Sequence, residues 1–172
     1  GARVVSMSWH GGMHSSVKIL GHYLRSQDSL LLWATGNYGN TITAHDSADV
    51  IYVGATDIND NKAGFSVNGE WVDVVAPGDN VYVPSDNGGY RYWSGTSFAT
   101  PIVAGILSMM MIVSPNSTAE QIEQMMYLNC VDLMAPGEDI DVGYGRPDFA
   151  ACLQAAQYAE STYISHDTIQ LS

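Results

Sequence analysis

The sequence has little positive charge: its 172 residues include six lysines and arginines against eighteen aspartates and glutamates. The formal net charge of -12 repels the phosphate backbone of nucleic acids and anionic membrane surfaces alike. Long apolar runs are also lacking, and we expect none to approach the roughly 18 residues that a membrane-spanning helix needs. We therefore predict neither a nucleic-acid partner nor insertion into a membrane.

Cysteine is scarce as well. Cys130 and Cys152 match the spacing of neither a metal-binding knuckle nor a redox pair, so we expect no metal at these positions. They flank a loop of roughly twenty residues, and two alternatives stay open. They form a single disulfide in an oxidising compartment, or they are two inert buried thiols.

Hydrophobic residues make up 46% of the chain, which is enough for one sizeable core. Arg3–Ser8, Leu30–Thr35 and Val50–Thr56 are apolar runs of strand length, and Ser15–Ser26 has the periodicity of a helix. This order predicts an α/β fold with a parallel sheet, in which ligands bind at the carboxyl ends of the strands. Asn37 follows one of these ends.

The second half of the chain predicts a small antiparallel section followed by helices. Further strands are expected at Trp71–Val75, Asn80–Pro84 and Tyr90–Trp93. Helices are expected at Thr96–Val113, from a capping box at Thr118 to about Leu128, and from about Asp148 to Ala159. We predict one domain over residues 1–159 and a polar tail over residues 160–172.

The segment 94–105 places Ser97 at the beginning of a helix, directly after a tight glycine turn. The free N–H groups and the positive end of the helix dipole stabilise negative charge at such a place. A lone serine there is usually only a helix cap. The long string G-T-S-x-A-T-P-x-V-A-G, with Pro101 in the early turns where it is tolerated, favours a reactive serine instead.

This string resembles the serine motif of the subtilisin-like serine proteases, the subtilases. Residues 34–39 resemble the family's oxyanion-asparagine motif, residues 50–57, 65–66 and 72–78 its intervening strands, and residues 143–145 its closing glycine turn. The resemblance covers almost the whole chain. It implies a three-layer α/β fold with a mainly parallel sheet, completed by an N-terminal segment absent from this chain.

The resemblance also implies roles for individual residues. Ser97 is expected to be the nucleophile of an endopeptidase, forming an acyl-enzyme, and Asn37 to hold the oxyanion together with the backbone N–H of Ser97. Thr96 is expected to support this arrangement. Taken alone, Asn37 could also be a turn asparagine that tolerates a left-handed backbone.

Substrate-binding residues are implied in two segments. The expected contacts are Ser8, Trp9 and His10 in the strand that pairs with an extended polypeptide substrate, and Trp33, Ala34, Thr35 and Gly36 in the pocket wall. Trp9 and His10 stand where the family usually has glycines. We expect these bulky side chains to narrow the pocket.

The acid and the base of the catalytic triad are not identified in this sequence. The family's order is Asp, His, Ser, so both partners are expected before residue 1. We interpret the five histidines as ordinary polar or partly buried residues: His10, His14, His22, His45 and His166. The chain alone is expected to be nearly inactive. Its predicted partner is the N-terminal fragment of the same protease, released by cleavage upstream of Gly1.

No cofactor is expected to be required. Asp57, Asn59, Asp60 and Asn61 offer oxygen ligands for a structural calcium ion, but their spacing is not that of an EF-hand and a solvated turn is favoured. The acidic composition and the resemblance favour an extracellular or secreted protein. The alternative function is a catalytically inactive subtilisin-like module for binding or scaffolding, against which the intact serine motif argues.

Overall fold

The computed structural model describes residues 1–9, 12–43 and 46–170, with side chains described as far as Tyr163. Its centre is a parallel four-stranded sheet in which the strands follow chain order. The strands are β1 (Val4–Met7), β2 (Leu30–Ala34), β3 (Ile51–Thr56) and β4 (Val74–Pro77). The predicted α/β class and parallel sheet are confirmed.

Helices cover both faces of this sheet, which gives three layers. Helix α1 (Ser15–Ser26) lies on one face, and α2 (Thr96–Val113) packs against all four strands on the other. Side chains alternate between the faces of a strand. In β2, Leu30 and Leu32 therefore belong to the core under α2, whereas Leu31 and Trp33 belong to the core under α1.

Helix α2 is the central helix of the fold, and both of its ends lie where the sequence predicted. Among the described residues it is the one helix long and apolar enough to cross a membrane. This corrects the expectation that no apolar segment reaches such a length. Half of the helix is buried inside the protein, and the core helix of a globular domain has the same composition.

A short antiparallel ribbon leads into α2. It consists of β5 (Val81–Pro84) and β6 (Tyr90–Trp93), close to the predicted bounds. The strand predicted at Trp71–Val75 is wrong at its start, because β4 begins at Val74. Trp71 lies in a turn, and its apolar side chain is buried there rather than in a strand. Its ring packs edge-on against Tyr52, and its Nε1 donates to the Ile42 carbonyl.

The remaining elements follow α2. Helix α3 (Ala119–Tyr127) begins with the predicted capping box at Thr118. The two-residue strands β7 (Cys130–Val131) and β8 (Arg146–Pro147) pair antiparallel and were not predicted, since two residues carry no periodicity.

Helix α4 (Phe149–Gln170) extends far beyond the end predicted at Ala159. Residues 160–170 of the predicted polar tail are therefore helical, and residues 171–172 lie outside the described residues. One physical reason is Glu160, whose carboxylate accepts hydrogen bonds from the Asn116 side chain (2.7 Å) and from the Ser114 hydroxyl (3.2 Å). The polar composition marks a partly solvated helix here rather than a helix end.

Candidate active site

The site lies at the carboxyl ends of β1 and β2, where the first residues of α2 meet them. The structure brings Ser97, Asn37, Thr96 and Ser8 around one open cavity of about 350 Å³. The residues lining this cavity are Ser8, Trp9, Ala34, Gly36, Asn37, Tyr38, Thr96 and Ser97. Six of them are residues predicted for the site from three separate segments, namely Ser8, Trp9, Ala34, Gly36, Asn37 and Ser97, with Thr96 as predicted support.

The Asn37 side chain caps the start of α2 from outside the helix. Its Oδ1 accepts a hydrogen bond from the backbone N–H of Thr96 at 2.9 Å and another from the Thr96 hydroxyl at 3.0 Å. An N–H group can donate only to the oxygen of a carboxamide, so this bond determines which end of the Asn37 amide is oxygen. The Nδ2 group is consequently the end left for other partners.

The fully buried Thr96 hydroxyl connects the turn after β2 to this cap. Thr96 Oγ1 accepts the backbone N–H of Gly36 at 3.2 Å. Its single proton is then available for Asn37 Oδ1. Thr96 thus holds both the backbone before Asn37 and the Asn37 side chain.

Glycines leave room for the carboxamide next to the helix start. A Cβ atom on Gly95 would lie 3.2 Å from Asn37 Nδ2, closer than ordinary van der Waals contact. The Gly95 N–H donates to the Gly78 carbonyl at 2.8 Å, which ties the turn before α2 to the end of β4. A side chain at Gly95 would therefore push the carboxamide out of place.

Ser97 is half-buried in the first turn of α2 and is linked to the end of β1 by two hydrogen bonds. The Ser8 hydroxyl donates to the Ser97 carbonyl at 2.7 Å, and the Ser97 hydroxyl donates to the Ser8 carbonyl at 3.4 Å. The Ser97 N–H is among the first helical N–H groups, which lack intrahelical partners. Together with the helix dipole, these groups favour a negatively charged oxygen beside Ser97.

Two of the predicted pocket-wall residues do not line this cavity. Trp33 belongs to the core under α1, where its ring lies so close to Gly12 that a Cβ there would be 2.6 Å from Cδ1. Thr35 is buried, and its hydroxyl has no hydrogen-bond partner among the described residues. His10 lies outside the described residues. Tyr38, which sequence reasoning missed, lines the cavity and is 70% exposed.

The described histidine side chains lie away from the cavity. His14 precedes α1, and His22 on α1 approaches the Asp49 carboxylate at 3.1 Å. Asp49 precedes β3, so this His–Asp pair lies at the amino-terminal edge of the sheet, opposite Ser97. His45 lies outside the described residues, as does the side chain of His166. The cavity-lining residues that the structure describes include no histidine, aspartate or glutamate.

The residues considered for calcium already have other partners. The Asp57 carboxylate accepts hydrogen bonds from the Asn61 side chain and from the backbone N–H groups of Asn61 and Asn59, and these bonds lower the pKa of Asp57. Asp60 binds the Arg146 guanidinium through both carboxylate oxygens, at 2.8 and 3.1 Å. Asp60 therefore already has a cationic partner in the Arg146 guanidinium.

The structure is a three-layer α/β fold in which Ser97 and Asn37 meet at the start of the central helix. The sequence model of the subtilase family matches residues 1–145. The chain belongs to the subtilase family, and its relatives are serine proteases. The resemblance inferred from the motifs is confirmed.

Individual relatives and a solved structure agree with this assignment. The chain is 39% identical to thermitase of Thermoactinomyces vulgaris over 64% of its length and 40% of the relative's. It is 35% identical to the minor extracellular protease Epr of Bacillus subtilis over 91% of its length and 25% of the relative's. A protease structure from Pseudoalteromonas arctica superimposes with a TM-score of 0.77 at 25% identity, covering 90% of this chain and 51% of that one. The chain thus spans only about a quarter to a half of these proteins.

Proposed function

We propose that this chain is the C-terminal part of the catalytic domain of a serine endopeptidase, which hydrolyses polypeptides through an acyl-enzyme on Ser97. One observation carries the proposal. The oxygen of the Asn37 carboxamide is held by Thr96, so its Nδ2 group is the end left to donate, and Asn37 and Ser97 line the same cavity. A helix cap needs only the oxygen of that side chain, whereas an oxyanion needs the N–H.

The chemistry follows from these positions. Ser97 Oγ attacks the carbonyl carbon of the scissile peptide bond while its proton passes to a base. The carbonyl oxygen becomes negative, and it accepts hydrogen bonds from Asn37 Nδ2 and the Ser97 N–H. Collapse of the tetrahedral intermediate expels the protonated amine and leaves an ester on Ser97, which water then hydrolyses. Ser8 and Trp9 line the same cavity, and we expect an extended substrate to pair beside them through main-chain hydrogen bonds.

We further propose that the base and its carboxylate partner come from a segment N-terminal to this chain. The cavity-lining residues described above provide no group able to take the Ser97 proton near neutral pH. The chain also covers only 40% or less of the relatives' own lengths cited here. Cleavage between the two parts, and secretion of the assembled protease, belong to this same proposal.

An uncovered surface fits such a segment. Among the described residues, β1 is the outermost strand of the sheet and pairs with β2 alone, so its other edge carries no strand partner there. Beside it, α2 exposes Ile102, Met109 and Ile112 in a stripe. Small residues between them let another element approach closely. A further parallel strand with its helix would cover both features.

The assembly is tested by making residues 1–172 alone and together with the sequence encoded before Gly1. We expect casein hydrolysis only from the assembled protein, because Ser97 otherwise lacks a base. Ile112→Glu should prevent assembly, since it places a charge in the apolar stripe. Tyr158→Glu on α4, a side chain 74% exposed, is the matched control and should assemble normally. A folded, monomeric chain that needs no partner would contradict the proposed assembly.

The Thr96 hydroxyl provides a second prediction. Thr96→Val is expected to lower kcat about tenfold with little change in KM, because the Asn37 carboxamide loses one of the two bonds that orient it. Thr96→Ser keeps the hydroxyl and should retain most of the activity. Steady-state kinetics on a peptide substrate separates the two constants. Equal losses in both variants would indicate a packing role for the threonine methyl group instead.

A further inference from the structure

The two cysteines lie in neighbouring elements at the end of the domain. Cys130 begins β7, and Cys152 lies in the first turns of α4. β7 pairs with β8, with Cys130 opposite Pro147, and α4 begins two residues after Pro147. Both cysteines are free thiols. Their sequence spacing left open what they do, but the fold brings them to the same place.

The position of one carbonyl group limits their separation. The Asn129 carbonyl oxygen accepts the Asp148 N–H at 2.9 Å and lies 3.9 Å from Cys152 Sγ. Asn129 is joined to Cys130 by a peptide bond, so its oxygen is about 3 Å from the Cys130 Cα. Cys152 Sγ is therefore within about 7 Å of that Cα. Cys130 Sγ points instead toward the Met126 carbonyl at 3.4 Å, and rotation about its Cα–Cβ bond redirects it.

We propose that Cys130 and Cys152 form an intramolecular disulfide when the protein meets a thiol–disulfide oxidant such as glutathione disulfide. A Cys130 thiolate attacks one sulfur of glutathione disulfide and expels glutathione thiolate, which takes up a proton. A Cys152 thiolate then attacks the Cys130 sulfur of this mixed disulfide and expels the second glutathione. The two protein thiols lose two protons and two electrons, and one glutathione disulfide becomes two glutathione molecules.

Exposure determines the order of these steps. Cys130 is partly exposed, whereas Cys152 is fully buried in the core under α2, so glutathione reaches Cys130 first. Burial raises the pKa of Cys130 to about 12 and that of Cys152 to about 11. The nearby Cys152 raises the pKa of Cys130 further, and Arg146 on β8 lowers it without offsetting burial. Asp148 raises the pKa of Cys152 further. Thiolates are scarce at neutral pH, so the reaction is best followed near pH 9.

The disulfide would restrain the glycine turn at residues 143–145, which lies between the two cysteines. The segment between the two cysteines includes Gly145, whose carbonyl accepts the Val75 N–H at 3.0 Å, and Arg146, which pairs with Asp60. The disulfide would thus restrain the segment that contacts β4, and neither cysteine is among the described residues that line the cavity of Ser97. We expect an effect on stability, raising Tm by several degrees, and none on turnover.

The test incubates the purified protein with glutathione disulfide at pH 9, alkylates the remaining thiols and digests the product on the amino side of aspartate. Cuts before Asp132 and Asp148 place the two cysteines on different peptides, so mass spectrometry detects them as a linked pair. We expect that pair, together with a rise in Tm that dithiothreitol reverses.

Cys130→Ser is the matched control, because this partly exposed position tolerates a polar atom, and it should show no rise in Tm. Cys152→Ala should also lack the linked pair, because it removes the second thiol. Recovery of both cysteines as alkylated thiols, or of glutathione adducts without the linked pair, would overturn the proposal. Hydrolysis assays are not needed for this result, which is therefore independent of the proposed protease function.

Discussion

Ser97→Ala is expected to abolish peptide hydrolysis by the assembled protein, with kcat falling by about six orders of magnitude. That magnitude is the one known for removal of the nucleophile from subtilisin, a protein of the same family, and is carried over from it. The physical reason is that no acyl-enzyme can form without the Ser97 oxygen. Peptide hydrolysis is measured at saturating substrate, and a fluorophosphonate probe reports whether Ser97 reacts.

Ser94→Ala serves as the matched control, three residues upstream. The Ser94 hydroxyl binds the Asp79 carboxylate at 2.5 Å and accepts the Asn80 N–H at 2.9 Å, so its loss should cost some stability. It should leave turnover nearly unchanged. Substantial hydrolysis by Ser97→Ala would contradict the assignment of the nucleophile. Absence of fluorophosphonate labelling in the assembled wild-type protein would instead indicate an inactive binding or scaffolding module.

Both residues that carry the proposed chemistry are visible in the sequence because each lies in a distinctive local pattern. Ser97 follows a glycine turn at a helix start, and Asn37 follows a continuous buried strand. The helices α1 and α2 were also predicted with their observed bounds, since apolar periodicity and capping residues act locally. These features could be predicted because they depend on interactions between residues that are close in sequence.

The relation between the two residues could not be predicted in the same way. The bonds from Thr96 to the Asn37 oxygen join positions 59 residues apart, so they exist only once the sheet and α2 have packed. The resemblance suggested Thr96 as support, but only the fold provides the bond from Gly36 that directs its hydroxyl. Pairings of this kind depend on tertiary contacts rather than on sequence spacing.

Trp33 was predicted as a pocket-wall residue, but its side chain lies in the core under α1. Its neighbour Ala34 lines the cavity, and the whole segment was assigned to the pocket wall. Alternation along β2 turns Trp33 toward α1 and away from the cavity, as period-two geometry requires. Helix α4 was predicted too short for a different reason, since its stabilising partners Asn116 and Ser114 are distant in sequence.

Asn37→Ala is expected to lower kcat about 10²- to 10³-fold with little change in KM. This range is again that known for the corresponding asparagine of subtilisin and is carried over. The donor acts on an oxygen that becomes negative only in the transition state, so substrate binding is hardly affected. However, the alanine also removes the cap on Thr96, and a loss of stability could produce part of the effect.

Asn37→Asp separates these two contributions. An aspartate of the same shape keeps an oxygen that can accept both Thr96 bonds, so the cap and the helix start should be preserved. It replaces the Nδ2 donor by a second oxygen and adds negative charge where the oxyanion forms. If Asn37 acts as a donor, kcat falls at least as far as in Asn37→Ala, while Tm stays nearer to the wild-type value. If Asn37 only caps α2, the aspartate variant retains its activity, and the oxyanion role is excluded.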